Sequence, residues 1–205
     1  MRRLAAFLAV VATVAAVAAP ARADGDPASD YLLGQQVFFP FDAKFPPKEQ
    51  AQFAALVAAA NRAGYRIRVA LIAGSYDMGS VTSLWRRPKT YARFLGQELW
   101  FVYKSRLLVV MPNGYGFNWT GHPTTREYAV LGKLPPPNTP ASLVSSAQVA
   151  VQRLAAAAGV TVKPPAHVTT PGGRSSHDRI VIIAAVAAFL VAAGGARLAL
   201  RRLRR

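Results

Sequence analysis

The 205-residue chain contains no cysteine, which excludes a disulfide framework, a thiolate nucleophile and any thiolate metal site. Acidic residues are scarce, 9 Asp and Glu against 25 Lys and Arg. Paired carboxylates, which many hydrolases and calcium sites need, therefore have little to draw on. The histidines, His122, His167 and His177, are scattered and lack the close spacing of metal ligands. Gly74, Gly79, Gly114 and Gly116 do not compose a phosphate-cradling loop, and neither Ser75 nor Ser80 lies in a nucleophile-elbow pattern.

What the chain has in abundance is hydrophobic residues, 52% of the total, and positive charge, a net +16. Taken whole, that charge looks like a nucleic-acid footprint, but its placement argues otherwise. Arg2, Arg3 and Arg22 lie in the first 23 residues and Arg179, Arg197, Arg201, Arg202, Arg204 and Arg205 in the last 27, which leaves 16 basic against 9 acidic residues between them. Both ends are otherwise apolar. Charge flanking apolar runs is the signature of membrane targeting, so nucleic acid is not an expected partner.

Arg2 and Arg3 precede an apolar run from Leu4 to Ala19, followed by Pro20 and the small-residue pattern Ala21-Arg22-Ala23. A basic start, an apolar core and an A-x-A site predict a signal peptide over residues 1–23. Ile180 to Ala196 is free of charge, and with Leu198 to Leu200 it approaches the ~20 residues needed to cross a bilayer. The expectation is one transmembrane helix over 179–200. The basic tail 201–205 then lies in the cytoplasm, because arginines cluster after the span. Residues 163–178 mix Pro, Gly, Ser and Thr without an apolar period and read as a linker. One extracytoplasmic domain remains at 24–162, of ordinary domain size. The expected location is the plasma membrane, single-pass, with the lipid bilayer as one partner.

Inside that domain, Gln36 to Phe39 reads as a strand closed by Pro40, and Pro47 with Glu49 opens a helix that Gly64 stops. Arg66 to Ile72 predicts a covered strand, Ala73 to Pro88 a Gly/Ser loop, and Tyr91 to Trp100 a second helix. Leu107 to Met111 is the clearest strand. Pro112-Asn113-Gly114 ends it, Tyr115 to Trp119 suits an antiparallel edge strand, and Ala141 to Ala158 suits a last helix. The alternation argues an α/β fold, with right-handed crossovers giving a mostly parallel sheet covered on both faces.

Three blocks carry a family resemblance: Lys48 to Ile72, with Gly64-Tyr65-Arg66-Ile67-Arg68-Val69 inside it; Tyr91-Ala92-Arg93-Phe94-Leu95; and Leu107 through Met111 to Phe117. From Asp30 to about Gly159 the chain resembles the TPM domain family, envelope or thylakoid-lumen domains often tethered by one C-terminal helix. The resemblance implies a Rossmann-like α/β/α sandwich. It also implies that some relatives act as acid phosphatases or calcium binders, while many have no known reaction. Where many members carry acidic residues in the later loops, this chain has Asn113 and Asn118.

In an open parallel sheet the ligand crevice lies outside the carboxyl ends of the strands. Those ends offer Asp42, Asp77 and Asn113 as candidate metal or ligand residues. No cofactor is expected; a divalent cation such as calcium is the alternative, though it wants six to eight oxygens. The dense basic cluster is Arg86-Arg87-Pro88-Lys89 beside Trp85, a surface loop suited to an anionic headgroup or envelope polymer. Together these features favour a non-enzymatic binding or scaffolding protein of the cell envelope, contacting an unidentified envelope protein or polymer. The alternative is a metal-dependent, phosphatase-like hydrolase. A reporter enzyme fused after Arg205 is expected to be active only on the cytoplasmic side; activity only outside would reverse the orientation.

Overall fold

The computed structural model describes residues 25–163. The expected signal peptide, transmembrane span and tail lie outside the described residues, as does all but the first residue of the linker. Among the described residues no helix is long and apolar enough to cross a membrane.

The chain opens with α1 (Pro27–Gly34), followed by the short strand β1 (Val37–Phe38), α2 (Pro47–Arg62) and β2 (Ile67–Leu71). A 3₁₀ segment (Ser75–Leu84), made of two short turns with a kink at Gly79 (φ +54°), leads into α3 (Pro88–Glu98), β3 (Arg106–Met111) and β4 (Gly114–Trp119). Then come α4 (Thr125–Leu131), a 3₁₀ turn (Pro140–Ser142) and α5 (Leu143–Ala157). The four strands form one sheet in the order β1-β2-β3-β4. β1, β2 and β3 run parallel, and β4 pairs antiparallel with β3 from Arg106 opposite Trp119 to Met111 opposite Gly114. The fold is α/β with a mostly parallel sheet, as expected.

Side chains alternate along each strand, so the sheet feeds two cores. Ile67, Val69 and Leu71 join Leu108 and Val110 on one face, against Phe53, Leu56, Val57 and Ala60 of α2 and Val144, Val151 and Leu154 of α5. Ala70 and Ile72 join Leu107, Val109 and Met111 on the other, against Leu32 of α1, Met78 of the 3₁₀ segment and Tyr91, Leu95 and Leu99 of α3. Each of these side chains is almost fully buried, worth about 1.5–3 kcal/mol for a Val, Leu, Ile, Met or Phe. α3 lies close on β4: a Cβ at Gly116 would land on the Pro88 carbonyl, and one at Gly96 on the Asn118 side chain. At Gly116, where the obstacle is backbone, only glycine permits that approach, whereas at Gly96 a larger residue would displace the Asn118 side chain.

The handedness of the crossovers differs from the expectation. β1 to β2 and β2 to β3 step the same way across the sheet, yet α2 covers one face and α3 the other, so the two connections have opposite hands. Val69 donates its N–H to the Gln36 carbonyl at 2.9 Å while its side chain lies in the α2 layer. For an L-residue this puts β1 to the right of β2 when that layer faces the viewer and the strands run upward. The β1–α2–β2 crossover, stepping leftward behind its front-facing helix, is left-handed. The usual right-handed rule rests on a twisted strand feeding the helix, and β1, with two residues, supplies little twist.

Three local expectations also change. Ala73 to Pro88 is largely the 3₁₀ segment rather than an open loop, and neither α1 nor α4 was expected. Asp26 starts α1: its Oδ1 accepts from Ala28 N–H at 3.3 Å and from the Tyr91 hydroxyl at 2.7 Å, with Pro27 at the first helical position. Asp26 is 4% exposed. Burial pushes its carboxyl up to about 6, against the lowering effect of Tyr91 and Ala28. A raised folded-state pKa means that its contribution is fully present below about pH 4 and is lost as pH rises through 6. Asp26→Asn keeps the acceptor toward Ala28 and Tyr91 while removing the charge. It is expected to flatten the fall in stability between pH 4 and 6 and to gain up to about 2–3 kcal/mol at pH 7, read by denaturant titration at several pH values; an unchanged pH slope would refute this.

Candidate functional site

The carboxyl ends of the strands were the expected crevice, and Asp77 stands at their centre. The turn from β2 into the 3₁₀ segment brings its carboxylate back over the strand ends. Oδ2 accepts from the N–H groups of Ala73 (2.9 Å) and Gly74 (2.8 Å), and Oδ1 accepts from Phe41 N–H (3.1 Å). Asp77 is 1% exposed. Its carboxylate ties the end of β1 to the end of β2, satisfying three backbone donors that no ladder reaches. This is a structural clamp, and it leaves few lone pairs for a cation.

Asp42 is exposed and lines a shallow cavity of about 220 Å³ with Ala73, Gly74, Tyr76, Asp77 and Pro140. Asp42 and Asp77 thus line one cavity. Asn113 does not join them. Its Nδ2 donates to the Arg86 carbonyl at 2.6 Å, and it lines a separate cavity of about 280 Å³. Among the described residues no three His, Cys, Asp or Glu side chains converge as a metal would require.

The Asn113 cavity also receives Lys89 and the β4 edge. Pro88 and Lys89 open α3, and Tyr115, Tyr128, Leu131, Leu134 and Pro136 supply the walls. Tyr128 is held rigidly, donating to the Phe117 carbonyl (2.8 Å) and accepting from Phe117 N–H (2.9 Å), and the Lys89 ammonium sits 5.1 Å from its ring centroid. Tyr115 donates to the Pro135 carbonyl at 2.9 Å, and Asn138 N–H to the Pro112 carbonyl at 2.7 Å, which fasten the Pro-rich loop as one wall. Burial raises both phenols above their ordinary range, so neither supplies a phenolate near neutral pH.

Of the basic loop, Pro88 and Lys89 line the Asn113 cavity, and Arg86 is tied to it through its carbonyl. Arg86, Arg87 and Lys89 are exposed, whereas Trp85 is half-buried against the α1/α3 core. Arg86 adopts φ +60°, a left-handed conformation for a non-glycine residue, and the bond from Asn113 to its carbonyl holds it there. Sequence reasoning placed Asn113 with the carboxylates because strand ends converge in an ideal sheet. Instead the Asn113 amide is tied to the Arg86 carbonyl, and Asn113 lines the other cavity. Sequence reasoning missed Tyr115 and Tyr128 altogether; the one available signal was aromatic residues at alternate positions of an edge strand and on a helix started by Thr124 with Glu127 three positions on.

Fold and site together define a mixed-sheet α/β domain with a clamped carboxylate at its strand ends and a separate, carboxylate-free basic cavity. Among protein-family models, curated proteins and solved structures, no match to the chain is found.

Asp77→Ala is expected to destabilise the domain by about 3 kcal/mol or more, because three backbone donors lose their acceptor. The loss should be the same with and without millimolar calcium in a denaturation series. A loss seen only with calcium would make Asp77 a ligand instead.

Proposed function

We propose that this chain is a TPM-type, Rossmann-like extracytoplasmic domain, tethered by a C-terminal membrane span and serving as a non-enzymatic binding or scaffolding protein of the cell envelope. The left-handed β1–α2–β2 crossover is its own departure from an ordinary Rossmann arrangement. The signal peptide at 1–23 supplies export, and the linker at 163–178, span at 179–200 and tail at 201–205 supply the tether, on the charge and hydropathy of the sequence. The observation that carries the binding reading is the Asn113 cavity. It is lined by an ammonium, an amide and aromatic and aliphatic walls, with no carboxylate, serine or histidine.

Such a lining suits an anionic group on an envelope protein or polymer. Lys89 supplies charge in the lining, the Asn113 amide holds the Arg86 backbone beside it, and Arg87 is the exposed residue between the two cations in the chain. Because these cations are exposed, the interaction should weaken with salt. The hydrolase reading has one observation in its favour, that Asp42 and Asp77 share a cavity. Against it, both Asp77 oxygens already accept backbone N–H groups, so one free carboxylate remains where calcium wants six to eight oxygens.

The two readings part on measurement. The purified chain is expected not to turn over a chromogenic phosphate ester with calcium or magnesium, and to bind an anionic polymer with an affinity that falls several-fold in the Arg86→Glu, Arg87→Glu, Lys89→Glu variant. Turnover that disappears in Asp42→Ala would replace the binding reading with the hydrolase. Polymer binding indifferent to the charge reversal would remove the basic cluster from it.

A further inference from the structure

The amino end of the sheet, opposite both cavities, carries an apolar feature that the binding reading does not use. After α3 the chain turns sharply: Trp100 N–H donates to Gln97 (3.1 Å), and the N–H groups of Val102 (3.0 Å) and Tyr103 (2.7 Å) both donate to the Leu99 carbonyl. Leu99, 1% exposed, anchors the turn in the core, and Tyr103 packs half-buried beneath it, its ring 4.1 Å from the Arg68 guanidinium carbon. The residues between them point outward. Phe101 is 93% exposed, Val102 59% and Trp100 43%.

A contiguous Trp-Phe-Val tip, held out by backbone hydrogen bonds, leaves apolar side chains in water. Its surroundings are basic. The Lys104 ammonium lies 4.6 Å from the Trp100 ring centroid, Ser105 Oγ donates to the Arg66 carbonyl at 3.0 Å, and Arg62 and Arg66 are exposed where α2 hands over to β2. Glu98 is the acidic residue on the adjoining turn of α3. A rigid apolar tip, a tryptophan beside it and cations behind it match the three layers of an anionic membrane surface: acyl chains, carbonyl region and headgroups. The last helix also ends here, since Ala157 and Ala158 of the α5 end share a cavity wall with Arg106 at the start of β3.

We infer that the Trp100–Lys104 turn is a second membrane contact, dipping Phe101 into an anionic bilayer and holding the sheet upright with the Asn113 cavity facing away from the lipid. The inference rests on the tethered reading for its orientation, and its test separates the two. Because the chain has no cysteine, Phe101→Cys or Phe41→Cys accepts a single environment-sensitive fluorophore; Phe41, 62% exposed, lies at the carboxyl end. The full chain is added to vesicles of phosphatidylcholine with or without phosphatidylglycerol and an acyl-chain quencher.

The label at 101 is expected to shift to the blue and be quenched several-fold more than the label at 41, more strongly with phosphatidylglycerol. Lys104→Glu with Arg66→Glu should reverse that gain. Equal, water-like behaviour at 101 and 41 overturns the contact. So does a shift that grows with the protein-to-lipid ratio, which would make a second copy the occupant. Retention of the chain on vesicles through an alkaline wash, scored after the fluorescence, reads the tether alone: a chain that washes off sinks the tether, and a retained chain with no shift at 101 sinks only the second contact.

Discussion

β2 and β3 must be covered on both faces, and the rest of the domain follows from that requirement. Val69 and Leu108 face one way, Ala70 and Val109 the other, and none of the four is measurably exposed. A sheet with only one helical layer would leave half of these side chains in water. The chain meets the demand by sending α2 with α5 to one face and α1 with α3 to the other. With strands in the order β1-β2-β3, covering both faces with successive crossovers forces one of them to be left-handed. The two-residue β1 is where that exception costs least.

The carboxyl end shows how the same constraint shapes the site. Once α2 and α3 leave on opposite faces, the segments after β1 and β2 diverge, and their N–H groups would be unpaired in a partly buried place. Asp77 supplies the acceptor for three of them. A residue that looks like half of a catalytic pair by its position is thereby committed to the fold, since a carboxylate with several backbone donors is stabilised where it lies and loses capacity for other partners. The open chemistry moves to the β3–β4 turn. There Asn113 holds Arg86 in a left-handed conformation, and Lys89 comes over Tyr128.

The elements with strong local patterns were readable in advance. Pro47 and Glu49 at the start of α2, the apolar run of β3, the Pro112-Asn113 turn and the edge strand β4 all fall within a few residues of expectation. α1 escaped notice although Asp26-Pro27 is a sound helix start, because its single turn or two carries little apolar periodicity. The 3₁₀ segment escaped because Gly74, Gly79 and several Ser and Thr read as loop, and its order comes from Met78 packing in the α1/α3 core rather than from propensity. For the site, the identity of the chemical groups was legible and their grouping was not. Asp42 and Asp77 do share a cavity, but Asn113 belongs with Lys89, two residues that are 24 positions apart in the chain.

Residue order alone settled that this is an α/β chain with a mostly parallel sheet, because apolar period and turn residues act within a few neighbours. Residue order likewise set the scarcity of carboxylates and thiols, and the basic, apolar character of both ends, since these are properties of composition. The tertiary structure decided which hand each crossover takes, that the Asp77 carboxylate accepts from three backbone N–H groups, and that Phe101 stands out in solvent on a turn closed by backbone hydrogen bonds. The hand of a crossover and the Phe41–Asp77 bond depend on where segments dozens of positions apart meet, and the exposure of Phe101 on which segments do not cover its turn; none of these leaves a periodic mark in the sequence.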